Sequence, residues 1–256
     1  MKITTWNVNS VRSRLPIIST WLRENQPDIV LLQELKCLTE AFPYQEIEDL
    51  GYNVAVYGQK TFNGVAILAK SPIEDVIYGL PTYSEDPQAR YIEGVIGKIR
   101  VASVYVPNGQ DVHSQAYRYK LEFLQRLQQH LRCLLTYEEI SIIGGDYNIA
   151  PKENDVYDPQ LWAGKVLFSE AERQAFNALC YLGYTDAIRV YHHNKGPFTW
   201  WDYRAQAFTA NHGLRIDHLL LSPQAADCLK DCQVDMTPRR LEKTSDHAPV
   251  WCYLTP

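Results

Sequence analysis

One predicted strand of this chain, residues 29–33, is apolar at every position except its last. Ile29, Val30, Leu31 and Leu32 follow one another without a polar residue between them, and Gln33 closes the segment. A strand with one solvated face alternates apolar and polar side chains, whereas an unbroken apolar run is typical of a strand covered on both faces. The sequence therefore predicts a sheet whose two faces are both buried.

Further short strands and three helices are predicted along the chain. Gly, Pro, Asn or Asp residues separate the strands, which are expected at residues 3–8, 52–57, 64–69, 73–78, 91–96, 99–106, 140–143, 214–221 and 248–253. Helical periodicity predicts helices over residues 15–24, 114–135 and 169–182, and Ser169 with Glu172 forms a candidate capping box in the third. Many short strands with few helices favour an α/β or α+β layered sandwich.

The composition is that of an ordinary globular protein. Hydrophobic residues make up 46% of the 256 residues and charged residues 21%, without repeats or linker-like segments, so we expect a single domain over residues 1–256. The 30 acidic residues outnumber the 25 basic ones, which disfavours a protein that binds polyanions over its whole surface. A nucleic-acid enzyme is still compatible with this charge, because acids around a metal ion can dominate the total while bases line the approach.

The chain carries no sign of export or membrane insertion. No apolar run follows Lys2 as in a secretory signal, and no stretch reaches the ~20 apolar residues that a membrane span requires. The six cysteines form neither a Cys-x-x-Cys pair nor a zinc-ribbon spacing. We therefore expect a cytoplasmic protein with reduced, mostly buried thiols and no membrane contact.

Polar residues recur at or near the ends of the predicted strands, and one of them, Asp217, interrupts the apolar strand 214–221. They are Asn7, Glu34, Tyr105, Asp146, Asn148, Asp217, Asp246 and His247. Residues far apart in the sequence but all at strand ends can converge on one rim of a sandwich. Each alone has an ordinary explanation as a turn former, a salt-bridge partner or a hydrogen-bonded acid. These explanations weaken together, because one chain rarely places so many unpaired acids at strand ends.

Phosphodiester hydrolysis is the chemistry that needs such a set. Carboxylates such as Glu34 and Asp246 suit Mg²⁺, which polarises a phosphoryl oxygen and neutralises the leaving alkoxide. A carboxylate such as Asp146 can orient or deprotonate the attacking water. A histidine held by an aspartate can stabilise the phosphate or deliver a proton. Uncharged donors add no repulsion at the phosphate, and here they are Asn7, Asn148 and Tyr105.

Eight short segments, spread over the chain, carry a family resemblance. They read TWNVN (5–9), LLQELK (31–36), NGVAI (63–67), VYVPNG (104–109), GGDYNIAP (144–151), TWWDYR (199–204), GLRID (213–217) and SDHAPV (245–250). Any one of them is a weak signal, but all eight in this order form a strong one. Over essentially its whole length the chain resembles the exonuclease III family of abasic-site endonucleases, within the endonuclease/exonuclease/phosphatase superfamily.

The resemblance implies a fold, a cofactor and a partner. The family fold is a four-layered α/β sandwich of two packed mixed β-sheets flanked by helices. Its members use Mg²⁺ or Mn²⁺ to cut DNA beside abasic sites and to clean or degrade 3′ ends. Asn7 and Glu34 match the metal-site positions, and Asp246 matches a further acid near the metal. The expected partner is double-stranded DNA with abasic sites or 3′ ends, bound by a monomer that is nucleoid-associated if bacterial.

The resemblance also implies the catalytic roles. Tyr105 matches the phenol at the scissile phosphate. Asp146 matches the water-activating acid, and Asn148 its neighbouring phosphate ligand. Asp217 matches the acid that orients the active-site histidine, here His247.

Four residues are candidates for contact with DNA. Arg90 lies where the family contacts DNA, although an exposed turn arginine is an equal alternative, and Asn108 lies in a matched segment. Alternate residues on a strand face opposite ways, so Trp200 is a candidate for stacking on nucleic acid while Trp201 lies in the core. The alternative is that this whole aromatic cluster is core. Where abasic-site-cutting relatives tend to carry a small residue, this chain has Leu167, which is expected to fill part of the abasic pocket.

The leading hypothesis is therefore a Mg²⁺-dependent DNA repair nuclease, and three alternatives stay open. One is a 3′-end-processing exonuclease with little abasic-site activity. Another is a lipid or inositol phosphatase of the same superfamily, which segments 198–204 and 213–217 match less closely. The last is a catalytically silent DNA-binding or scaffolding homologue, against which the intact acids Glu34, Asp146 and Asp217 and His247 argue.

Overall fold

The computed structural model describes residues 1–255, in which β-strands and α-helices succeed one another along the chain. The strands are β1 Lys2–Asn7, β2 Ile29–Gln33, β3 Asn53–Tyr57, β4 Val65–Ala69, β5 Glu74–Tyr78, β6 Tyr91–Ile96, β7 Ile99–Tyr105, β8 Ile140–Asp146, β9 Thr185–Asp186, β10 Asp217–Leu221, β11 Leu229–Val234 and β12 Val250–Leu254. The helices are α1 Val11–Asn25, α2 Tyr44–Glu48, α3 Gln115–Leu135, α4 Pro159–Trp162, α5 Glu170–Tyr181, α6 Ala187–Tyr191 and α7 Pro223–Asp227.

The strands form two mixed six-stranded sheets. The order is β11-β12-β1-β2-β4-β3 in the first sheet and β5-β6-β7-β8-β10-β9 in the second. Each sheet contains one parallel pair, β1 with β2 and β7 with β8. A parallel pair needs a crossover connection, and helices α1 and α3 provide it. Two neighbouring strands therefore end on the same edge in each sheet.

Apolar side chains fill three spaces between four layers. One core lies between the two sheets, a second between the second sheet and helices α3 and α5, and a third between the first sheet and helices α1 and α2. Along β2, Ile29 and Leu31 belong to the core between the sheets, whereas Val30 and Leu32 belong to the core under α1. The prediction that this strand is buried on both faces is confirmed, as is the four-layered sandwich.

Helix starts follow their local capping signals. The Ser114 hydroxyl accepts a hydrogen bond from the backbone N–H of Tyr117 at the start of α3, and Ser169 with Glu172 forms the expected capping box at α5. Helix α1 begins four residues earlier than predicted, because the side chain of Ser10 caps it.

Three of the predicted strands have a bound that is wrong by two residues or more, and one of them is β12, which begins at Val250 instead of residue 248. Strand β8 continues to Asp146 instead of ending at residue 143, and β10 begins at Asp217 instead of residue 214. Leu214 makes only isolated bridges, to Val156 and Trp200, because the chain there leaves the sheet edge. Strands β9 and β11 and the short helices α2, α4, α6 and α7 were not predicted. Strand β9 and the helices are too short to show a clear period, and the sequence LKDCQV of β11 does not alternate apolar and polar residues.

The cysteine prediction holds only in part. All six thiols, which lie within residues 1–255, are free, but only Cys37, Cys232 and Cys252 are buried, and Cys133 is exposed. Within the same residues, no helix combines the length and the apolar character needed to cross a membrane.

Candidate active site

The predicted site residues lie along one rim of the sandwich. Asn7 ends β1 and Glu34 follows β2 in the first sheet, while Tyr105 ends β7 in the second. In the ladders of the second sheet, Asp146 is the register partner of both Tyr105 and Asp217. The two parallel pairs thus bring their carboxyl ends to the same edge, where these five residues meet.

Two glycines allow β8 to bring Asp146 to this rim. A Cβ atom added to Gly145 would lie 1.9 Å from the carbonyl oxygen of Val104, and one added to Gly144 would lie 2.7 Å from side-chain atoms of Leu31 and Leu219. No larger residue fits at Gly145, because the clash is with backbone, and at Gly144 two buried leucines of the close-packed core would have to move. The Gly-Gly pair therefore lets β8 lie close to β7 and to the core between the sheets immediately before Asp146.

One amide group holds two carboxylates together across the sheets. The Asn7 Nδ2 group donates to Glu34 Oε1 and to Asp146 Oδ2, each at 2.9 Å. The Tyr105 hydroxyl also donates to Glu34 Oε1, at 3.0 Å. Glu34 itself has φ 53°, a left-handed conformation unusual for a glutamate. The backbone at the end of β2 is thus turned so that its carboxylate meets Asp146.

A buried aspartate–histidine pair lies beside these carboxylates. The His247 Nδ1 atom lies 2.8 Å from Asp217 Oδ2, and its Nε2 atom lies 3.8 Å from Asp146 Oδ2. Burial acts to lower the pKa of His247, but Asp217 and Asp146 together raise it to about 10. The imidazole is therefore a cation at neutral pH, with its second nitrogen on the side of Asp146.

Burial also changes the acidity of Asp146. Removal from water raises the pKa of this carboxyl to about 7, with Asp217 and Glu34 acting in the same direction and His247 and Asn7 opposing them. A carboxyl with this pKa is divided between its protonated and ionised forms near neutral pH. That is the range in which a carboxylate is most useful as a general base.

Three side chains converge closely enough to bind a metal ion. One carboxylate oxygen from each of Glu34 and Asp146 and a ring nitrogen of His247 all lie within 4.8 Å of one another. The two carboxylates of this group offer oxygen ligands, which suit a hard divalent cation. The donor set therefore fits a metal of the kind that the sequence predicts.

Asp246 lies next to this group but outside it. Its Oδ2 atom accepts a hydrogen bond from the Trp200 indole at 2.8 Å, and its Oδ1 atom accepts one from Asn9 at 2.9 Å. Burial acts to raise the pKa of Asp246, yet His247 and these donors lower it below the ordinary value. The residue is thus an ionised carboxylate with both oxygens already engaged, and its role as a metal ligand stays a prediction.

Two polar residues of the rim were missed by the sequence analysis. Lys36 Nζ lies 2.7 Å from Glu34 Oε2 and donates to Asn9 Oδ1 at 2.6 Å. Although burial acts to raise the pKa of Glu34, Lys36 and the amide of Asn7 lower it overall. The two missed residues, Lys36 and Asn9, lie inside matched segments. Neither ends a strand, and the other candidates were selected because they lie at strand ends.

Asn148 and Asn108 form a separate polar pair at the same rim. Asn148 has φ 51°, and its backbone N–H donates to Asp146 Oδ1 at 2.8 Å. Its side chain donates to the carbonyl of Val106 at 3.0 Å and accepts from Asn108 Nδ2 at 3.2 Å. Asn148 is buried and Asn108 is exposed. The exposed amide of Asn108 is therefore available to a ligand. The buried Asn148 connects Asn108 to Asp146 through hydrogen bonds.

A groove of about 800 Å³ adjoins Tyr105 and contains Arg90 and Asn108 among its lining residues. The Arg90 guanidinium lies 4.9 Å from the centre of the Tyr105 ring and 5.6 Å from that of Tyr119. Only 9% of Arg90 is exposed, so the alternative of an exposed turn arginine is wrong. The stacked cation gives this groove a positive wall directly beside the rim.

The aromatic cluster divides between core and surface. Trp201 is fully buried, Trp200 is half-buried, and Tyr203 is more than half exposed. The alternative that the whole cluster is core is therefore wrong, the core position of Trp201 is confirmed, and stacking by Trp200 stays a prediction. Trp200 packs against a cluster that includes Leu167, Leu214 and Ile216.

Leu167 is buried in that cluster with φ 77°. This left-handed conformation favours glycine, because a Cβ atom meets the backbone there. A glycine at this position would thus relieve the backbone and open space in the cluster beside Trp200. The predicted filling of a pocket by Leu167 is compatible with this location.

Comparison with known proteins places the chain in a family. The model of the endonuclease/exonuclease/phosphatase family matches residues 4–247. An exodeoxyribonuclease III from Haemophilus influenzae is 36% identical over 98% of this chain and 98% of its own length. A solved 3′ phosphatase from Neisseria, bound to product DNA hairpin, is 43% identical, and an AP endonuclease from Archaeoglobus fulgidus is 38% identical. Both alignments cover 100% of each chain, with TM-scores of 0.98 and 0.96. The predicted resemblance is confirmed, and the chain belongs to the endonuclease/exonuclease/phosphatase family.

Proposed function

We propose that this chain is a metal-dependent DNA repair nuclease that hydrolyses phosphodiester bonds at 3′ ends and beside abasic sites. The observation that carries the proposal is that Glu34, Asp146 and the Asp217–His247 pair converge at one rim. One ligand atom from each of Glu34, Asp146 and His247 lies within 4.8 Å of the other two, and His247 lies 2.8 Å from Asp217. Relatives that span the whole chain support it, since they are named as exodeoxyribonuclease III, 3′ phosphatase and AP endonuclease.

The residues at the rim divide the chemistry between them. Asp146, with its pKa raised to about 7 by burial, orients and deprotonates the attacking water. His247, held by Asp217 as a cation, stabilises the charge that develops on the phosphate. Burial and the neighbouring acids raise the pKa of the Tyr105 phenol well above its usual range. It therefore stays protonated and donates a hydrogen bond toward the same phosphate, as does Asn148.

Glu34 and Asn7 are the residues that would hold the metal ion, with Asp246 beside them. We propose Mg²⁺, with Mn²⁺ as an alternative, because the carboxylates of the group offer oxygen ligands. A divalent ion held by these residues would supply polarisation of the phosphoryl oxygen and neutralisation of the leaving alkoxide. Lys36 pairs with Glu34 and holds its carboxylate in the ionised form that a cation requires.

The proposed substrate is double-stranded DNA, bound by a single chain. The groove beside Tyr105 carries the stacked cation of Arg90 and the exposed amide of Asn108, groups that bind a sugar–phosphate backbone without reading its sequence. On the other side of the rim, Trp200 presents a half-buried ring for stacking. Every site residue comes from one chain, so we propose that a monomer is active.

The proposal is tested by comparing substrates side by side. The purified protein is given an abasic duplex, a recessed 3′ end, a 3′-phosphate end and an inositol phosphate, each with Mg²⁺ and with EDTA. We expect Mg²⁺-dependent turnover of at least one DNA substrate and none of the inositol phosphate. Turnover of the inositol phosphate alone would support the phosphatase alternative, and EDTA-insensitive DNA binding without turnover would support the silent homologue.

Replacing Leu167 by glycine should raise incision of an abasic duplex more than it raises the 3′-exonuclease rate. Extruding a nucleotide costs a few kcal/mol, which favourable contacts in a close-fitting pocket must offset. A leucine that occupies the space of the sugar prevents those contacts but leaves the proposed phosphate contacts of Asn148 and His247 unchanged. The ratio of the two initial rates, measured on one enzyme preparation, checks this expectation.

Two further substitutions separate the pocket from the backbone. Leu167→Ala opens part of the space but keeps a Cβ atom at φ 77°, so its rate ratio should lie between those of leucine and glycine. Leu161→Gly, at an exposed leucine in α4, should leave the ratio unchanged. If the wild type cuts abasic DNA as fast as 3′ ends, and Leu167→Gly alters neither rate, then Leu167 is only a packing residue.

A further inference from the structure

An ion pair between helices α3 and α5 is completely buried. Lys120 and Glu172 contact each other, and the side chains of both have 0% of their surface exposed. Such a pair is a poor source of stability, because desolvation of the two charges offsets their attraction and an apolar pair of similar volume is often as stable. The role of this ion pair therefore has to be found in the other contacts that Lys120 and Glu172 make.

Lys120 uses all three of its N–H groups. One contacts Glu172, one donates to the backbone carbonyl of Asn148 at 2.7 Å, and one donates to the backbone carbonyl of Asn108 at 3.0 Å. These are the two asparagines whose side chains meet at the rim, at 3.2 Å. One ammonium group thus draws together the two backbone segments that carry them.

Glu172 extends this connection to a third segment. It accepts hydrogen bonds from the backbone N–H groups of Leu167 and Ser169, each at 3.0 Å, and from the Ser169 hydroxyl. The Tyr117 hydroxyl of α3 bonds the same serine at 2.6 Å. The pair therefore joins the loops of Asn108, Asn148 and Leu167 beneath the rim.

We propose that Lys120 and Glu172 are positioning residues that set the spacing of Asn108 and Asn148 at the scissile phosphate. The inference rests on the proposed function and deepens it. An apolar pair would hold the two helices together equally well, but it offers no donor to two converging carbonyl groups. Those carbonyls would then be buried without partners, and the loops would shift to reach water.

The main test replaces both charges by apolar side chains of similar size. The variant Lys120→Met/Glu172→Leu avoids an unpaired buried charge but leaves the carbonyls of Asn108 and Asn148 without a donor, so its thermal midpoint should fall, though less than that of Glu172→Gln. Its kcat on a recessed 3′ end should fall about 10- to 100-fold, because a displacement of about 1 Å at a positioned group has an effect of that order. Lys120→Arg keeps the positive charge and several donors, so it should retain most of the wild-type kcat.

A matched single substitution separates positioning from stability. Glu93 is also fully buried, and it contacts Tyr91, His130 and Arg100, none of which lies at the rim. Glu172→Gln and Glu93→Gln should both lower the thermal midpoint, but only Glu172→Gln should lower kcat. A double apolar variant with wild-type kcat, or an equal loss of kcat in Glu93→Gln, would overturn the proposal.

A measurement that needs no turnover keeps this test apart from the proposed function. The side-chain amide resonances of Asn108 and Asn148 in a ¹⁵N-labelled sample should shift in the double apolar variant and in Glu172→Gln. They should not shift in Glu93→Gln. A wild type inactive on every DNA substrate would refute the proposed function, whereas unchanged asparagine resonances would refute the positioning role.

Discussion

Replacing Glu34 by alanine should lower turnover on DNA by about 10²- to 10⁴-fold, the equivalent of the several kcal/mol that a metal ion contributes to such a reaction. The substitution removes the Glu34 carboxylate, which is a proposed metal ligand. The Asn7 amide, which donates to Glu34 and Asp146, would keep only its bond to Asp146. The fold should persist, because the side chain is only half-buried and Lys36, left without its partner, is 30% exposed. Turnover at saturating Mg²⁺ and calorimetric titration with Mn²⁺ measure the two effects separately.

Glu40→Ala is the matched control for this prediction. Glu40 is an exposed glutamate six residues further along the chain, so turnover and Mn²⁺ affinity should both equal those of the wild type. Near wild-type rates for Glu34→Ala at low millimolar Mg²⁺ would remove Glu34 from the proposed metal site. Lost turnover with unchanged Mn²⁺ binding would instead assign the ion to other ligands.

Asp217 and His247 should behave as one unit in a double-mutant cycle. Asp217→Asn and His247→Asn are each expected to lower kcat by about 10²- to 10⁴-fold, the usual contribution of a positioned acid–base or electrostatic group. The double variant should lose little more than the worse single one, because either change alone already removes an oriented imidazolium. Single-turnover rates of the four proteins give the interaction free energy.

A second cycle shows what additive behaviour looks like in this protein. His130 contacts Glu93 and Tyr91 on the far side of the second sheet and shares no contact with the pair. Losses for His130→Asn and His247→Asn should therefore add. Additive losses for Asp217 and His247 as well would refute their pairing.

The interaction of Asp217 with His247 should make the stability of the folded protein depend on pH. The pKa of His247 in the folded protein, about 10, lies above its ordinary value of 6.5. The contribution of the protonated imidazole is therefore complete below about pH 6.5 and is lost as the pH rises through about 10. Asp217→Asn should lower the thermal midpoint most at pH 6 to 7, and the difference from the wild type, measured in EDTA, should shrink toward pH 10. A difference that stays constant over this range would contradict the electrostatic coupling.

The sequence by itself determined the features that depend on near neighbours. The unbroken apolar run of β2 indicated two buried faces, and Ser169 with Glu172 marked the start of α5, because periodicity and capping act over a few residues. The polar residues at strand ends also indicated a common rim, since parallel strands joined by helices end on the same edge. Asn7, Glu34 and Asp146 accordingly lie together as expected from their positions in the chain.

Only the tertiary structure decided which side chains are partners at that rim. The hydrogen bond between Asn9 and Asp246 joins residues 237 positions apart, and the contact between Lys120 and Glu172 joins residues 52 positions apart. No local pattern encodes such contacts, because they form only when two sheets and their covering helices pack together. The same holds for Leu167, whose left-handed backbone is set by the loops around it. Burial, finally, raises the pKa of Asp146 to about 7, and burial is a property of the folded chain alone.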